Sequence, residues 1–141
     1  MTAIGIDYGT ARIGVARQVP GTNLVVPLAV VSPSEFDQIF SNWLIEFAVT
    51  EVYVGLPITL AGETGVAAQG IQAWVEQQQA NYPDLSWVLI DERLTSSMAS
   101  KAMTQAGISA KEQRGKLDSQ AAVFILEQAL DRKRQRDEEA D

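Results

Sequence analysis

Three stretches set carboxylates where the chain leaves one element for another: "GIDYGT" around Asp7, "DERLTS" with Asp91 and Glu92, and "KLDSQAA" with Asp118. Carboxylate oxygens are hard donors that suit magnesium or manganese. The chain holds no histidine and no cysteine. This removes the Ser-His-Asp and Cys-His nucleophile systems and any zinc site built on imidazole or thiolate. Chemistry would have to come from carboxylates, Lys, Tyr, Ser/Thr or a bound metal. Each stretch also has an ordinary reading. Asp7 could simply start a turn, the "DER" acids could close a solvated strand end, and Asp118 could cap a helix. Brought together, Asp7, Asp91 or Glu92, and Asp118 would repel one another and make sense only around cations. Two metal ions about 3.5–4 Å apart, held by shared carboxylates, serve in-line displacement at phosphorus and need no histidine.

The elements that would position these acids can be read from hydrophobic period. "TAIGIDYG", "RIGVARQ" and "NLVVPLAVV" are strand-like runs with short links, which predicts an antiparallel meander. In the first run Ile4 and Ile6 share one side, and Gly5 and Asp7 the other. Gly5 clears space beside the carboxylate, and Gly9 permits a tight turn after it. From residue 36, Phe36, Ile39, Phe40, Trp43, Leu44 and Phe47 fall at helical spacing, with Ser32 or Ser34 as cap. "EVYVGLP" is a fourth strand, and "ETGVAAQGIQAWVEQQQA" a second helix. "SWVLID" is a fifth strand, apolar throughout as a central strand would be. "TSSMASKAMTQAG" and "DSQAAVFILEQALDRKRQ" close the chain as two helices, the last opening at Asp118. The order βββ-α-β-α-β-α-α predicts a ribonuclease H-like α/β fold: one domain over residues 1–141 with a five-stranded mixed sheet and a frayed, charged tail from about residue 132. The loop "GLPITLAGETG" at residues 55–65 opens a helix where α/β sheets bind ligands, and its backbone amides suit phosphate. It lacks the Lys of a P-loop.

At 141 residues, 46% hydrophobic and 21% charged, the chain has the composition of a globular domain. No run approaches the length of a membrane span, and "MTAIGIDYG" has no signal-peptide pattern, so a cytoplasmic protein without membrane contact is expected. The net charge of −7 taken alone argues against a nucleic-acid partner. An acid cluster that holds metal repels phosphate only until the metal binds.

"GIDYGTARIGVA", "VGLPITLAGETG", "DERLTS" and "KLDSQAAVFILEQAL" together resemble the YqgF family, also called RuvX, from residue 3 to about residue 131. That family is similar in fold to the RuvC resolvases. Its members are described as pre-16S ribosomal RNA nucleases and, earlier, as Holliday-junction resolvases. The resemblance implies Asp7 as first metal-binding acid, an acid of "DER" as second and Asp118 as third. Glu92 is favoured over Asp91 by analogy with the Asp–Glu–Asp sets of related nucleases. Mg2+ or Mn2+ would be the cofactor. Thr10, Arg12, Arg93 and Lys116 would contact phosphate, with Lys101, Lys111 and Arg114 as further candidates. The implied partners are pre-rRNA, branched DNA and ribosomal particles, with the protein a monomer or homodimer. RuvC-type resolvases carry a glutamate at the end of the fourth strand, whereas this strand ends in "GLP" with no acid. "GIDYGT" is also similar to a phosphate motif of actin-like ATPases, which need two lobes where this length supplies one. A non-catalytic ribosome-assembly module is the remaining alternative.

Overall fold

The computed structural model describes residues 2–9, 11–57, 65–91 and 110–140, with side chains in the last segment described for 120–134 and 137. The elements are β1 (Thr2–Tyr8), β2 (Ile13–Gln18), β3 (Val25–Val31), α1 (Pro33–Glu46), β4 (Val49–Leu56), α2 (Val66–Asn81), β5 (Ser86–Asp91) and α3 (Ala110–Ala140). The sheet order is β3-β2-β1-β4-β5. β1, β2 and β3 form the expected antiparallel meander, and β1, β4 and β5 run parallel. The switch follows from the links. A short turn can only return the chain antiparallel, whereas α1 and α2 each supply a crossover.

Two layers cover the sheet. On one face Ile4, Ile6, Ile13, Val15, Val52, Val54 and Trp87 meet Phe36, Phe40 and Trp43 of α1 and Ile71 and Val75 of α2. Aromatic rings fill this side: Phe36 and Phe40 stack at 4.9 Å, and Trp74 and Trp87 meet edge to face at 6.1 Å. The other face is covered by α3, whose Ile125, Leu126, Ala129 and Leu130 pack on Ala3, Tyr53 and Ile90. Ala122 and Val123 pack on Ala16 of β2.

Three expectations are corrected. β5 is not central: it pairs with β4 alone among the described strands, and Val88 is exposed. Its apolar run arises because Trp87 and Ile90 are each covered, from opposite faces, by α1/α2 and by α3. The last helix opens at Ala110, so Asp118 is an interior residue and not its cap. The charged tail is helical through Ala140 instead of frayed. Glu, Gln, Arg, Lys and Ala are all good helix formers, and Lys133 ties this segment back to Glu51 of β4. In the sheet, β4 lies between β1 and β5. The helix expected in "TSSMASKAMTQAG" lies outside the described residues, as does most of the "GLPITLAGETG" loop.

Candidate active site

Asp7 is the next-to-last residue of β1 and stands opposite Gly14 of β2. It is half-buried. Alternation puts it on the α3 face with Ala3 and Gly5, because Ile4 and Ile6 belong to the opposite core. Tyr8 follows on the α1/α2 face, where its ring lies 4.5 Å from that of Trp74 and pins the strand end. The turn beyond is tight. A Cβ at Gly9 would stand 2.6 Å from the Arg12 carbonyl oxygen, so glycine is required there. Arg12 itself is exposed at the mouth of this turn. Thr10 lies outside the described residues.

Asp91 ends β5, opposite Leu56 of β4. It shares its side of the strand with Leu89 and Trp87, which pack into the aromatic core. Asp91 is therefore on the opposite face from Asp7. Glu92, Arg93 and Lys101 lie outside the described residues. Between β1 and β5, β4 presents Tyr53 and then Gly55 toward α3. Gly55 puts no side chain in the span between the two strand ends. Its role was readable in principle: it alternates with Val54 and Leu56 in a strand whose inner face is otherwise filled.

Asp118, Lys111, Arg114 and Lys116 all belong to the backbone of α3. The direction of α3 is fixed by two contacts. Gly5 lies against Ala122 and Leu126, while Glu51, which pairs with Ala3 in the sheet, holds Lys133 at 2.5 Å. The helix therefore runs antiparallel to β1. From Gly5 to Asp7 the strand advances about 6.6 Å. From Ala122 back to Asp118 the helix advances about 6 Å the same way. By backbone rise, the α-carbons of Asp7 and Asp118 thus fall at about the same level at the carboxyl end of the sheet.

The other end of the face is chemically different. Glu51 accepts from Lys133 Nζ at 2.5 Å and from Tyr53 Oη at 2.8 Å, so its charge is answered within the chain. Among the described residues no group of three acids is gathered, and the candidate cluster depends on Glu92 and Asp118. The donor types fit a hard divalent cation, since all are carboxylates. Among the described residues one acidity shift is resolved: partial desolvation first, and then the charge of Asp131, raise the pKa of Glu127 on α3.

An antiparallel meander feeding parallel strands, with a long helix over the face that bears Asp7, defines a ribonuclease H-like α/β domain. The fold is matched by Thermus thermophilus RuvC, solved with a Holliday junction substrate, at a TM-score of 0.52 and 18% identity, covering 92% of this chain and 93% of that one. Fowlpox virus resolvase, solved with junction DNA, gives 0.54 at 8% identity, covering 92% and 99%. The chain belongs to the RuvX family, described as Holliday junction resolvase, whose model matches residues 1–132. Curated relatives carry the name "Putative pre-16S rRNA nuclease". That of Nocardia farcinica is 40% identical over 139 residues, covering 91% of this chain and 76% of the relative. That of Sulfurihydrogenibium sp. is 36% identical over 132 residues, covering 92% and 89%. The family is one of nucleases, hydrolases of phosphodiester bonds.

Proposed function

We propose that this protein is a divalent-metal-dependent endonuclease that trims the 5′ side of pre-16S ribosomal RNA, with Asp7, Glu92 and Asp118 as the metal-holding acids. The observation that supports the reading is the close seating of α3 on β1 at Gly5, from which backbone rise brings positions 7 and 118 to about one level. Strand alternation favours Glu92 over Asp91 as the third member. Asp91 falls on the aromatic face, away from that of Asp7. A glutamate also has a longer side chain than an aspartate, and Gly55 of β4 adds no side chain on the α3 face.

Bound Mg2+ or Mn2+ would supply the Lewis acidity for attack on phosphorus and charge relief for the leaving oxygen. The chain's own part is to hold the acids at fixed separation and to receive the phosphate backbone. Arg12 at the mouth of the β1–β2 turn suits the latter, with Thr10, Arg93 and Lys116 as further contacts. Such contacts would offset the acidic total.

The test is cleavage of an rRNA precursor by the full chain with Mg2+ or Mn2+, with Asp7→Asn and Asp118→Asn run beside it. Cleavage by the unaltered chain and its loss in both variants is expected. Cleavage that survives both substitutions would sink the mechanism. A four-way DNA junction belongs in the same assay, because the family description favours branched DNA as the second substrate. Faster cleavage of the junction would replace the RNA reading while leaving the acids in their roles. The protein is expected to act in the cytoplasm, on free precursor or on ribosomal particles, as a monomer or homodimer.

A further inference from the structure

Strand β1 and helix α3 approach each other closely at Gly5. An ideal Cβ on Gly5 would stand 2.7 Å from the carbonyl oxygen of Ala122 and 2.7 Å from Cβ of Leu126. Both obstacles are rigid: one is helix backbone, the other the first carbon of a side chain. Neither can rotate away, so any side chain at position 5 must push α3 off β1. The surrounding contacts are small as well, with Ala16 of β2 set against Ala122 and Val123. Two residues beyond Gly5 on this face is Asp7, and one turn before Ala122 is Asp118.

The opposite end of α3 is held separately. Lys133 binds Glu51 at 2.5 Å, and Tyr53 donates to the same carboxylate. A wedge at Gly5 would therefore tilt the helix about this anchor and open the end that carries Asp118. A magnesium-sized ion bonds oxygen at about 2.0–2.1 Å and tolerates little deviation.

We infer that Gly5 is a positioning residue whose missing side chain seats α3 on β1 and so sets the distance between the backbone positions of Asp7 and Asp118, on which binding of a shared divalent cation would depend. The inference rests on the reading of those two acids as metal ligands and adds what holds them at that distance.

The test compares two wedges with a control of similar stability cost. Gly5→Ala inserts a methyl from the strand, and Ala122→Val inserts bulk from the helix at the same level. Leu130→Ala instead removes packing near the anchored end of α3. Each full-length variant is titrated with Mn2+ by calorimetry without nucleic acid, below its own melting temperature. The wedges should weaken Mn2+ binding by about tenfold or more, the scale on which residues supporting metal ligands act. Leu130→Ala should stay within about twofold despite its lower Tm. Wedges that bind Mn2+ as the unaltered chain does, or a Leu130→Ala loss of equal size, would overturn the inference. If Gly5→Ala does not fold, Ala122→Val and the milder Ala122→Ser carry the comparison. Mn2+ binding that is unchanged in Asp7→Asn and Asp118→Asn would instead overturn the metal reading itself, and this inference with it.

Discussion

The two faces of the sheet are packed on opposite plans. The α1/α2 face is filled by large rings, with Phe36, Phe40, Trp43, Trp74 and Trp87 in one aromatic layer. The α3 face is lined toward its carboxyl end by Gly5, Gly14, Ala16 and Gly55, met from the helix by Ala121 and Ala122. Large rings contribute apolar area, so the first face is where stability is concentrated. Small residues contribute little area but let backbones approach, so the second face is where geometry is set. The proposed chemistry lies on the second. A protein arranged this way can lose stability without losing its site, and can lose its site at small cost in stability.

That contrast can be broken directly. Asp7→Asn should reduce cleavage by about a thousandfold or more, equivalent to about 4 kcal/mol of transition-state stabilisation, while the melting temperature stays nearly constant. Cleavage within tenfold of the unaltered chain would end the assignment of chemistry to the α3 face. Phe40→Ala should do the reverse. It removes a fully buried ring and should cost about 3–5 kcal/mol in denaturant unfolding, with cleavage per folded molecule retained. Lys133→Met tests the anchored end of α3. The side chains of Lys133 and Glu51 are 41% and 23% exposed, so the loss should be about 1 kcal/mol, read as a lower denaturant midpoint.

The smallest effect concerns Glu127. Glu127 is exposed on α3, and partial desolvation and then Asp131 raise its folded-state pKa, so its charged form is slightly disfavoured in the fold. Its contribution is most favourable below the ordinary carboxyl pKa and is lost as pH rises through the folded value. Glu127→Gln should therefore raise the melting temperature slightly at pH 7, by about 1 °C. The gain should vanish near pH 3, where the native carboxyl is protonated in both states. A gain that persists at pH 3 would show that the cause is packing and not charge.

Much of this arrangement could be read from the sequence because it is local. The meander followed from links too short for crossovers, and the placement of Gly5 beside Asp7 followed from strand alternation. What could not be read depended on neighbours in space. "SWVLID" is apolar because helices cover both its faces, which looks the same in sequence as central position; only pairing makes β5 an edge. Asp118 carries a cap-forming side chain, yet Ala110 to Leu117 continue the helix upstream of it. Gly5 was legible as space beside a carboxylate. That the space is occupied by Ala122 and Leu126 depends on a helix more than a hundred residues away. The choice between Asp91 and Glu92 became arguable only when Trp87 and Leu89 fixed which face the strand's odd-numbered residues take.

The middle position of β1 bears on how the site survives thermal fluctuation. β1 is hydrogen-bonded on both sides, by β2 and by β4, and such strands expose their amides only when the whole domain opens. Its amide hydrogens should be among the slowest to exchange, and Asp7 is fixed for as long as the protein is folded. β5 sits at an edge, where partial opening costs less. The acid proposed to follow β5 is therefore carried by a strand paired on one side only among the described strands. The site as proposed would draw one acid from the middle of the sheet and another from beyond a strand paired on one side.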